Sequence, residues 1–83
     1  MSIPHQTDPD AQPLKDLLNA AEAARAALSL KRLPDVIRSH ATAFSIADRM
    51  RGHAVMLGEG AFWVVCLADA ERLASAGYEW AER

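Results

Sequence analysis

The sequence predicts a small α+β domain: an N-terminal helix, then a strand, a helix, a β-hairpin and a short helix around a small antiparallel sheet. Three observations predict it. Apolar residues recur at three-and-four spacing from Ala11 to Leu30. Two β-rich runs, His53 to Leu57 and Ala61 to Leu67, flank Gly58-Glu59-Gly60. A third segment, opened by Asp69 and closed by Gly77, has the caps of a short helix.

The first helix puts Leu14, Leu17, Leu18, Ala21 and Leu28 on one face. Asp10 or Gln12 is placed to cap it, Pro13 suits a first turn, where its missing N–H costs nothing, and the alanines raise helix propensity throughout. Ala20, Ala23, Ala24, Ala26 and Ala27 form a second, smooth strip.

Residues 33–52 read in two ways. In the first, Val36 to His40 is a strand, Thr42 caps a helix that faces the core with Ala43, Ile46, Ala47 and Met50, and Gly52 closes it. In the second, one helix runs from Pro34, which gives a helical hairpin packed on a β-hairpin. The strand-then-helix reading is favoured because a two-stranded hairpin is marginal in water and needs a third strand.

In the second hairpin strand Phe62, Val64 and Cys66 point one way and Trp63, Val65 and Leu67 the other, so both faces of the sheet demand cover. The last helix turns Leu73 and Ala74 inward. Tyr78 and Trp80 then alternate onto one side of a terminal strand or arm, where they are expected to close the core.

An 83-residue chain has room for one core. Residues 11–83 are therefore assigned to a single domain, and residues 1–10, rich in proline and polar groups, to a flexible tail. Cores of this size rarely supply more than about 3 to 5 kcal/mol, so self-association is expected to bury what the helices leave open. One cysteine, no secretory-type start, and an apolar run over 61–68 too short to span a bilayer point to the cytoplasm and away from membranes.

Charge divides the chain. Lys31, Arg32, Arg38, Arg49 and Arg51 outnumber Asp35 and Asp48 in the middle, whereas Glu59, Asp69, Glu71, Glu79 and Glu82 outnumber Arg72 and Arg83 in the last third. His5, His40, His53 and Cys66 lack ligand spacing, so no metal or cofactor is expected. Cys66 sits among apolar neighbours with no activating base in view, and Gly58-Glu59-Gly60 lacks the length and the Lys-Ser/Thr of a phosphate loop, so no catalytic residue is assigned.

The cadence Val55-Met56-Leu57-Gly58, Phe62-Trp63-Val64-Val65, Asp69-Ala70-Glu71-Arg72-Leu73 and Ala76-Gly77-Tyr78-Glu79 resembles small uncharacterised proteins of bacterial mobile elements over residues 36–81. The resemblance implies a phage- or plasmid-type setting and carries no functional residue with it. The expected function is a non-enzymatic protein-binding module, in its sharpest form an inhibitor of a host nucleic-acid-targeting or defence complex. Its partner would be a larger protein or complex, met through Glu59, Asp69, Glu71, Tyr78, Glu79 and Trp80. The alternative is a nucleic-acid-binding accessory protein using Arg38, Arg49 and Arg51.

Overall fold

The structure, a computed structural model, describes residues 13–83. Its elements are α1 (Leu14–Leu28), β1 (Asp35–Ile37), α2 (His40–Arg49), β2 (His53–Leu57), β3 (Phe62–Cys66) and α3 (Leu67–Ser75). The fold is α+β in the expected order, and the strand-then-helix reading of residues 33–52 is the one observed. The tail over residues 1–10 and the caps Asp10 and Gln12 lie outside the described residues.

The sheet is antiparallel in the order β1-β3-β2, so the apolar strand β3 is central. Register puts Val36, Trp63 and Met56 in one row and Asp35, Val64 and Val55 in the next. Because successive side chains alternate, the first row faces α1 and α3 and the second faces α2. On the α1/α3 side Trp63, Met56 and Val65 are buried with Ala21, Ala24, Leu30, Ala70 and Leu73. On the other side Val55, Val64 and Ala43 form the buried centre, ringed by half-buried Ile37, Phe44, Ile46, Ala47, Met50 and Phe62. Helices thus cover both faces, which the two-sided strand required.

Several details differ from expectation. Leu17, Ala21 and Ala24 hold the inner face of α1, while Leu14 and Leu18 are 54% and 38% exposed. Leu18 is turned about 100° from Leu17, enough to leave the contact. Pro13 is the N-cap of α1, outside the first turn, and its carbonyl accepts from the Asp16 and Leu17 amides. The cap of α2 is Ser39, three residues before Thr42. Its Oγ accepts from the Thr42 N–H at 3.2 Å, so the strand ends at Ile37 and His40 is helical. The third helix begins at Leu67, with Cys66 as N-cap, which removes Leu67 from the sheet and leaves it 51% exposed. Asp69, expected as that cap, lies inside the first turn.

Two loops are fixed by backbone geometry. Gly77, at φ 105, ends α3 with the Gly77 amide donating to the Ala74 carbonyl and the Tyr78 amide to the Leu73 carbonyl, a Schellman closure. Gly58 has to be glycine for a different reason: a Cβ there would lie 2.3 to 2.5 Å from ring atoms of Trp63, which is fully buried and has nowhere to go.

Candidate partner-binding surface

The C-terminal arm, residues 78–83, builds the surface of interest. After Gly77 turns the chain, the arm runs along the free edge of β2. Glu79 accepts the Leu57 amide at 2.8 Å, the Ala81 amide donates to Val55 at 3.0 Å, and Met56 bridges Trp80 between them. The arm then crosses α2. His40 Nε2 donates to the Glu82 carbonyl at 2.6 Å, Arg83 pairs with Asp48 at 2.5 Å, and the Arg83 guanidinium lies 4.7 Å above the Phe44 ring.

Between the arm and the hairpin turn lies an open groove of about 420 Å³, walled by Leu57, Gly58, Glu59, Ala76, Gly77, Tyr78 and Glu79. Tyr78 closes one side. Its ring packs 5.4 Å from that of Trp63, and its hydroxyl donates to Glu59 Oε2 at 2.7 Å. That hydrogen bond, with partial burial and the Glu59 charge, pushes the phenol above its ordinary pKa. The bond also holds the Glu59 carboxylate at the groove mouth. Beneath the floor, Trp63 Nε1 is buried with no partner among the described residues.

Three of the residues expected to bind a partner, Glu59, Tyr78 and Glu79, therefore share one groove. Trp80 stands beside it, 46% exposed, so it does not close the core as Tyr78 does; Leu57 is 40% exposed on the same edge. Glu71 lies in a neighbouring depression of about 600 Å³ between α3 and the end of α1, which meets the groove at Ala76.

Asp69 is withdrawn from the surface, 1% exposed. One carboxylate oxygen accepts the Lys31 amide at 2.8 Å and the other the Arg32 amide at 3.1 Å. Burial on its own would raise the Asp69 pKa, but those two amides, the Cys66 thiol and the Arg72 charge outweigh it and hold the carboxyl below its ordinary value. Its position directly after the apolar run over residues 61–68 was the available signal of burial. Nothing local announced that the α1–β1 loop would supply the donors, since these lie 37 and 38 residues away.

The arginines proposed for polyanion binding are not gathered. Arg38 precedes the N-cap of α2, and Arg49 and Arg51 lie at its far end, about 15 Å of helix away. Arg49 is also bonded to Ser45 Oγ at 3.2 Å. Cys66, His53 and Asp69 line a cavity of about 20 Å³, room for about one water, and the thiol is spent on Asp69. Among the described residues no group of three or more His, Cys, Asp or Glu is placed to hold a metal, and no helix is long and apolar enough to cross a membrane. No protein family, curated protein or solved structure matches the chain.

Proposed function

We propose that this chain is a non-enzymatic binding module that occupies a surface on a larger protein or complex. Its sharpest form is an inhibitor of a host nucleic-acid-targeting or defence complex, of anti-CRISPR or anti-restriction type, in a phage or plasmid setting. The observation that carries the reading is the groove in which Glu59 and Glu79 flank Tyr78, with exposed Trp80 alongside. Surfaces that hold phosphates are rich in Arg and Lys, and fixed carboxylates meet the same cations. An exposed indole next to them supplies the apolar anchor that charge alone lacks. Orienting Glu59 through Tyr78 lowers the ordering cost of that contact.

The test is capture of host complexes from nuclease-treated lysate by the wild type and by Glu59→Lys/Glu79→Lys, with circular dichroism to check the fold. Charge reversal is expected to cut capture at least about tenfold with the fold intact. Unchanged capture would count against the reading. Material that disappears on nuclease treatment, and depends on Arg38, Arg49 and Arg51, would assign nucleic-acid binding instead.

A further inference from the structure

The arm leaves one part of the sheet unfinished. The two bonds that bracket the Met56–Trp80 bridge, Leu57 amide to Glu79 carbonyl and Ala81 amide to Val55 carbonyl, define an antiparallel pair in which the bridging residue turns its own polar groups to the opposite edge. The N–H and C=O of Trp80 therefore face away from β2, and neither bonds to any described residue. Their neighbours along that edge are taken: the Tyr78 amide donates to Leu73, and the Glu82 carbonyl accepts from His40.

Natural edges are commonly blunted with lysine, proline or a covering loop. Here the open donor and acceptor sit under an indole that is 46% exposed, between Glu79 and Glu82. Both cations of the acidic last third are already engaged, Arg72 with the Leu28 and Ser29 carbonyls and Arg83 with Asp48. The edge therefore presents an unpaired backbone unit in a field of uncompensated carboxylates.

We infer that this edge takes an extended, basic segment of a partner protein as a further strand. The partner's backbone pairs with Trp80, and its basic side chains meet Glu79 on one face of the arm and Glu82 on the other. Backbone pairing supplies affinity and the flanking charges supply selection. The inference rests on the reading of this surface as a partner site and states how the partner enters it.

The probe is a short synthetic peptide of alternating Lys and Val, with a Glu and Val peptide as control, and the readout is hydrogen exchange of the Trp80 amide by NMR. The basic peptide is expected to slow that amide at least about tenfold, and the acidic peptide to leave it unchanged. Trp80→Ala keeps the N–H and is expected to retain peptide binding in weakened form. Trp80→Pro removes the N–H at a position where an edge strand tolerates proline, and is expected to abolish it. If the basic peptide shifts Glu59 and Glu79 resonances without protecting the Trp80 amide, strand addition is overturned while the groove reading survives. Equal protection by both peptides overturns the basic partner. No binding of either overturns strand addition, and the groove reading then stands or falls with the capture experiment.

Discussion

The α1–β1 junction and the C-terminal arm do the same job at opposite ends of the described chain: each ties a peripheral segment to the sheet. They use carboxylates in opposite ways. At the junction one buried carboxylate, Asp69, meets two backbone amides, Arg72 reaches back to the Leu28 and Ser29 carbonyls, and Leu30 is buried at 5% exposure. At the arm the backbone carries the attachment through Leu57 and Ala81, while the carboxylates of Glu59 and Asp48 bond at the surface. A buried charge is retained because its donors are fixed, and it has nothing left for a ligand. An exposed one contributes little to folding and is available to a partner.

The junction depends most on Asp69. Asp69→Ala strands the Lys31 and Arg32 amides and is expected to cost about 3 kcal/mol in urea unfolding. A loss comparable to that of an ordinary surface substitution would mean the junction is held by Leu30 and Arg72 alone. On the arm side, Gly58→Ala drives a methyl into the Trp63 ring and is expected to cost about 2 to 3 kcal/mol by the same measurement.

The two ties also separate by pH. The folded pKa of Asp69 lies below the unfolded value of about 3.9, so its contribution is present above that value and lost as pH falls through the folded pKa. Tyr78 is raised, so its contribution is present below the unfolded value of about 10 and lost as pH rises through the folded pKa. Amide exchange should therefore open residues 31 and 32 first in acid and the contact between the arm and the hairpin turn first in alkali. Asp48 is also lowered, chiefly by its hydrogen bond to Arg83 and despite desolvation, so the last residue of the arm loosens in acid as well.

Smaller effects sharpen the contrast. Ser29 holds φ 54 at the end of α1, a conformation glycine adopts without strain, so Ser29→Gly is expected to stabilise the junction by up to about 1 kcal/mol. Asp48→Ala removes a pair whose side chains are 55% and 66% exposed. It should leave the unfolding midpoint nearly unchanged and remove part of its salt dependence.

Much of this fold was legible in the chain because its signals are local. Gly58-Glu59-Gly60 marks the hairpin, the apolar alternation of Phe62 to Cys66 marks a strand covered on both faces, and Gly77 marks the helix end. The strand before α2 could be argued only from the hairpin's need for a partner, and its three-residue length and Ser39 cap could not. The candidate site was legible in part. Glu59, Tyr78 and Glu79 stood out as charged or aromatic residues near turns, but their meeting depends on the arm folding back over β2. Asp69 shows the limit: from its residue type and neighbourhood it belonged with the other acids, and only the distant Lys31 and Arg32 amides separate it from them.

The two tryptophans of the chain occupy contrasting environments, Trp63 wholly enclosed beside Tyr78 and Trp80 half in water on the arm. The protein thus carries two native optical reporters. Short-wavelength emission from the enclosed indole falls when the core around it opens. Long-wavelength emission from the outer one, and its access to a collisional quencher, follows what happens at the edge, so occupancy and unfolding can be watched separately in one unlabelled sample.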